Sequence, residues 1–122
     1  MGAQRMLDEV RHEVENHSWR EALRKANLML EKYPDNPRTD RLRRQLAAIQ
    51  ENAEIEERQA IEVQIHELIR NRQLREAISL GETLLRKYPS SPQADSLESM
   101  LPRLKQLLAE DENAEAPADS IA

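Results

Sequence analysis

Three histidines, His12, His17 and His66, are the side chains of this sequence best suited to metal ligation or proton transfer. Glu9 and His12 have the i, i+3 spacing of half a carboxylate-bridged metal pair, but the matching half is missing. Glu62 and His66 stand one helical turn apart, and no third ligand accompanies them. Surface histidines are therefore the expectation. Cysteine is absent, so neither a thiol nucleophile nor a disulfide framework exists. Two separated glycines cannot form a nucleophile elbow or a phosphate-cradling loop. A protein without enzymatic activity, metal or cofactor is expected. The chemistry that remains belongs to arginine. Arg38, Arg41, Arg43 and Arg44 crowd one short segment, and helical spacing puts Arg38 beside Arg41 and Arg41 beside Arg44. Guanidinium forks of this kind can grip carboxylates of a partner chain. The plain alternative is a solvated face partly neutralised by Asp40 and nearby glutamates. Arg38, Arg41 and Arg44, with Arg11 from the first helix, are the candidate partner-binding residues.

These arginines sit inside a sequence that says most things twice. Trp19-Arg-Glu-Ala-Leu through Pro37 returns 55 positions later as Leu74-Arg-Glu-Ala-Ile through Pro92. Arg20/Arg75, Ala22/Ala77, Leu30/Leu85, Tyr33/Tyr88 and Pro34/Pro89 are identical pairs, and the match continues through Asp40/Asp95, Leu42/Leu97 and Leu46/Leu101. The arginines break the pattern: Arg38, Arg41, Arg43 and Arg44 have Gln93, Ser96, Glu98 and Ser99 as counterparts. An internal repeat with helical periodicity predicts packed helical hairpins.

Apolar residues at three- and four-residue spacing define the helices. Met6, Leu7, Val10 and Val14 mark the first, from about Ala3 to Asn16. Ser18 and Glu21 have the spacing of a capping box, so helix two is expected to start near Trp19. Its stripe runs Trp19, Ala22, Leu23, Ala26, Met29, Leu30, Tyr33, and Pro34 ends it. Tyr33 and Tyr88 read as staples at the helix ends, and Trp19 as core.

Asn36-Pro37 and Ser91-Pro92 each put a capping side chain before a proline suited to the first helical position. From Pro37 a helix can run to about Arg70, roughly 50 Å at 1.5 Å per residue. Its middle, residues 50–59, is polar almost all round, which fits either a solvated bridge or a break. A continuous bridge is expected. Helix four carries Leu74, Ala77, Ile78, Gly81, Leu84, Leu85 and Tyr88, with Gly81 where Ala26 stands in the first copy. An interior glycine costs up to about 1 kcal/mol against alanine, so close packing there is expected. Helix five starts at Pro92, with a kink expected before Pro102. From Asp111 to Ala122 the composition predicts a disordered acidic tail.

Charged residues make up 34% of the chain and aromatics 2%, which suits helices with a large wet surface. The net charge of −5 comes mostly from Asp111, Glu112, Glu115 and Asp119; the remainder is close to neutral. No basic excess draws the chain to nucleic acid, and no apolar run approaches the roughly 20 residues of a membrane span. Lacking a signal peptide, the chain reads as cytoplasmic, or as periplasmic if trimmed from an anchored parent.

Trp19, Ala22 and Pro34, and again Leu74, Ala77 and Pro89, resemble the second-helix pattern of the tetratricopeptide family. The Tyr-Pro-x-Asn/Ser-Pro endings are similar to repeats of bacterial envelope-assembly proteins in that superfamily. Two departures stand out. Val10 and Ile65 occupy the family's first-helix glycine position, and the period is 55 rather than about 34. The surplus is the first half of helix three, which would cover unit one. The resemblance implies an all-α tandem of helical hairpins with about five helices: unit one over residues 3–53, unit two over 54–110. It also implies a protein–protein interaction scaffold that binds a peptide or helix. The family's clamp for a terminal carboxylate is not matched, since Leu7, Arg11, Glu62 and His66 stand at its positions. A rival reading is a homodimeric spacer, built on the long helix and the terminal helix, that buries the surplus Leu104, Leu107 and Leu108 against a second copy.

Overall fold

The computed structural model describes residues 2–114. They form five α-helices: α1 (Gly2–Glu15), α2 (Trp19–Lys32), α3 (Pro37–Arg70), α4 (Leu74–Lys87) and α5 (Pro92–Ala114). No strand occurs among the described residues. The chain divides into two compact units that meet in sequence at Glu57 and Arg58. The polar middle of α3 is helical throughout.

Unit 1 closes around Leu7 and Val10 of α1, Ala22, Ala26 and Met29 of α2, and Leu42 and Ile49 of α3. Tyr33 packs against this core as the expected staple. The first part of α3 is thus the third helix of unit 1. Unit 2 uses the later part of α3 in the same way: Ile65 joins Ala77 and Leu84 of α4 and Ala94 and Leu97 of α5. A second cluster, Leu74, Ile78, Leu101 and Leu104, takes in Leu107 and Leu108 at its edge. Of the three leucines on which the self-association reading rests, Leu104 is buried in unit 2 and Leu107 and Leu108 are partly buried against it. Gly81 is buried because α5 lies close: a methyl group there would come 3.2 Å from Leu101 Cδ2 and 3.4 Å from Leu97 Cδ2.

The helix ends explain where the chain turns. His17 and Arg72 have positive φ, 56° and 58°. At each, the next amide reaches back five residues: Ser18 N to Glu13 O and Gln73 N to Leu68 O, both 2.8 Å. The His17 and Arg72 amides bond Val14 O and Ile69 O, both 3.0 Å. These are Schellman closures built without glycine. Asn36 Oδ1 accepts from Arg38 N at 2.9 Å and Ser91 Oγ from Ala94 N at 3.1 Å, so both expected caps form.

The expected capping box does not form. Ser18 makes no side-chain cap bond, and Glu21 is engaged by Arg24 instead. That hydrogen bond holds the Glu21 carboxyl below its ordinary value. A carboxylate from 37 residues away takes over the start of α2: Glu56 Oε2 accepts from Trp19 N at 2.8 Å. Its Oε1 accepts from Arg20 Nε at 2.9 Å. Burial pushes the Glu56 carboxyl up, but the bonds from Arg20 and the Trp19 amide outweigh it and hold the carboxyl low. Trp19 itself is half-buried rather than part of the core. Its ring stacks on His17 with centroids 5.9 Å apart and 6° between planes.

The counterparts of Glu56 and Glu57 in the 55-residue register are Asp111 and Glu112. Asp111 accepts from Arg72 at 2.7 Å, and Glu112 pairs with Arg75, the counterpart of Arg20. The tail expected from Asp111 is thus helical at its start. These two ion pairs fasten α5 to the beginning of α4, and α5 continues to Ala114. The rest of that expectation, residues 115–122, lies outside the described residues.

Candidate functional site

Arg38 is placed by its own helix start and by α1. Asn36 caps its amide, Pro37 opens α3, and Arg38 Nε donates to Gln4 Oε1. That bond joins the first turn of α3 to the first turns of α1. Arg11 lies seven residues beyond Gln4, about two turns up the same side of α1. Arg41 lies one turn beyond Arg38 on the flank of α3. Arg11, Arg38 and Arg41 therefore border a single seam between α1 and α3 within unit 1. Arg44 is turned about 120° from Arg38 around the helix and leaves the seam. Arg43 turns to the other flank, where it pairs with Asp40 and donates to Pro34 O at 2.8 Å.

All four candidates, Arg11, Arg38, Arg41 and Arg44, are exposed. Arg38 spends its Nε on a neutral amide, and that amide donates in turn to Asp8 Oδ1 at 2.8 Å, so one carboxylate stands on the seam with the arginines. Arg11, Arg41 and Arg44 have no ion-pair partner among the described residues. A planar fork with several unused N–H donors suits carboxylate oxygens bidentately.

Unit 2 shows what the same position becomes with other side chains. His66, Gln93 and Ser96, the counterparts of Arg11, Arg38 and Arg41, line one small cleft of about 20 Å³ between α3 and α5. Ile65, Leu84, Leu97 and Met100 floor it. Gln93 is held there by Arg58 Nε at 3.2 Å; Arg58 stands one position before Gln59, the counterpart of Gln4. The three arginine positions of unit 1 thus carry no arginine in unit 2, where Glu62 also lines the cleft and Arg58 reaches Gln93.

The histidines do not assemble a centre. His12 contacts Asn16 at 3.1 Å, and His12 and His66 are both exposed. No group of three or more His, Asp or Glu side chains among the described residues has metal-holding geometry. No described helix is long and apolar enough to cross a membrane. Sequence reasoning missed Gln4, whose reach to Arg38 depends on tertiary placement. It also missed Glu56, although extending the register to Glu56/Asp111 and Glu57/Glu112 carries the signal.

Compared with protein-family models, curated proteins and solved structures, the chain matches none.

Proposed function

We propose that this protein is a non-enzymatic interaction scaffold. It consists of two tetratricopeptide-like units in tandem, and unit 1 grips a carboxylate-bearing segment of a partner protein. The observation that carries the reading is the α1–α3 seam: Arg11 and Arg41 stand there without an acidic partner among the described residues, beside Arg38 braced by Gln4. The equivalent seam of unit 2 has His66, Gln93 and Ser96. Because unit 2 keeps the backbone position without arginine, Arg11 and Arg41 are not needed to build it and are free to serve recognition. Exposed arginines cost little to hold in water, and their value appears only when a partner desolvates them against carboxylates.

The test is site-specific photo-crosslinking in the cell that makes the protein, from a photoreactive residue at exposed Gln45. A defined protein crosslinks to the wild type, and the triple variant R11E/R38E/R41E loses it while keeping its helical circular dichroism and thermal midpoint. R43E, on the other flank, retains it. Equal capture by the triple variant would remove the seam from the site, and crosslinks to the chain itself alone would replace the scaffold reading with self-association.

A further inference from the structure

Glu62 stands where unit 1 has Leu7. Leu7 is 4% exposed and belongs to the core of its unit, so an apolar side chain serves the fold at this position. In unit 2 the same position carries a carboxylate. Glu62 is partly buried on the wall of the cleft between α3 and α5, and it has no hydrogen bond or ion pair among the described residues. Arg58, one turn before it, donates to Gln93 and lies 5.5 Å from the centre of the Tyr88 ring. A carboxylate drawn partly out of water without a donor weakens the fold that holds it. Leucine would avoid that cost, so the carboxylate answers to a ligand rather than to the core.

The rest of the cleft defines the ligand. Ile65, Leu84, Leu97 and Met100 give it an apolar bed. Its enclosed base is about 20 Å³, and with the open mouth the space is about 270 Å³. That admits one extended chain of methylene groups and no ring at the base. A lysine side chain has this shape: its stem lies along apolar surface while the ammonium stays at the wet end. We propose that the cleft of unit 2 takes a lysine side chain of a partner protein, with the stem on Ile65, Leu97 and Met100 and the ammonium on the Glu62 carboxylate. An ammonium has three donors, and the Ser96 hydroxyl is a further acceptor lining the same cleft. The site does not rest on the arginine seam of unit 1 and would survive its failure.

The Met100 methyl group lies in the cleft and serves as the reporter. The full chain, carrying carbon-13 in its methionine methyls, is titrated at about pH 8 with acetyl-lysine methylamide and with its norleucine analogue. The two probes share a stem, and only the first has an ammonium. The lysine probe should move the Met100 resonance and reach half-saturation at about one-fifth of the norleucine concentration, the ratio for a modest ion pair. Met29, in the core of unit 1, should not move. Glu62→Gln removes the lysine preference. Glu62→Leu, which copies unit 1, abolishes the response to both probes and raises the urea midpoint. Equal half-saturation of the two probes, no response to the lysine probe, or a lysine preference that survives E62Q would overturn the proposal. A lower urea midpoint in E62L would overturn it too, by making the carboxylate part of the fold.

Discussion

Thr39 is fully buried, yet its hydroxyl has no hydrogen-bond partner among the described residues. In the 55-residue register its counterpart is Ala94, equally buried and without a polar atom to satisfy. A buried hydroxyl left unpaired costs about 1–3 kcal/mol, and an apolar group of the same shape escapes that cost. Thr39→Val should therefore stabilise the protein by about 1 kcal/mol. The change would appear as a higher urea midpoint with unchanged slope. A lower midpoint would mean that the hydroxyl is satisfied and that the site tolerates alanine in unit 2 for another reason. Gly81 offers a second test at this scale. Alanine there gains helix propensity of up to about 1 kcal/mol but must displace Leu101 Cδ2, so the two effects nearly offset. Valine adds two more carbons to the same gap and should cost about 2–3 kcal/mol. If valine proves neutral, α4 and α5 are not in close contact at this point.

Helix pairs in the two units solve one packing problem with different chemistry. In unit 1, Lys25 Nζ of α2 meets Glu13 Oε1 of α1 at 3.0 Å, and both side chains are largely buried. Their counterparts in unit 2 are Leu80 and Leu68, both partly buried against the core. Unit 2 thus shows that this helix contact accepts an apolar pair. Removing one partner of the ion pair strands the other, so Glu13→Leu or Lys25→Leu alone should cost about 1–2 kcal/mol. Replacing both should restore wild-type stability or exceed it. The double-mutant cycle is the measurement; a double variant no better than the worse single would show that the two sites are not equivalent. The same comparison shows what was legible in the sequence. The apolar stripes, the Asn36 and Ser91 caps and the long α3 follow from local spacing, because helix periodicity and capping act over a few residues. The Glu56 bond to Trp19 spans 37 positions, and Ser18–Glu21 offered a local spacing that the fold did not use. His17 and Arg72 adopt left-handed backbone without glycine, so composition could not announce the closures. At the seam, the arginines stood out because they break the repeat. Gln4, and the departure of Arg44, needed the path of α1 against α3.

For the whole molecule, the division of the sequence between Glu57 and Arg58 has a consequence for what folds alone. The core of unit 1 draws its residues from Ala3 to Ile49, and a boundary at Ala53 would keep every one of them. Such a fragment would nevertheless lose Glu56 and with it the partner of the Trp19 amide and of Arg20. Units of this size are marginal, because a small chain buries only about 60% of its unfolded surface. A charge-assisted bond to a helix start, about 1.5–3 kcal/mol, is then a large share of the total. Residues 1–57 should therefore unfold in a cooperative transition, and residues 1–53 should be less stable by about 1.5–3 kcal/mol despite an intact apolar core. Glu56→Gln in the longer fragment should give most of that loss, which separates the Glu56 bonds from four residues of helix length. Paired urea titrations of the three chains, followed at 222 nm and by Trp19 fluorescence, decide it. Equal midpoints for the two fragments would place the stability of unit 1 wholly in its core and leave Glu56 an ornament of the surface. A 1–57 fragment with no transition at all would show that unit 1 needs the rest of α3 to fold.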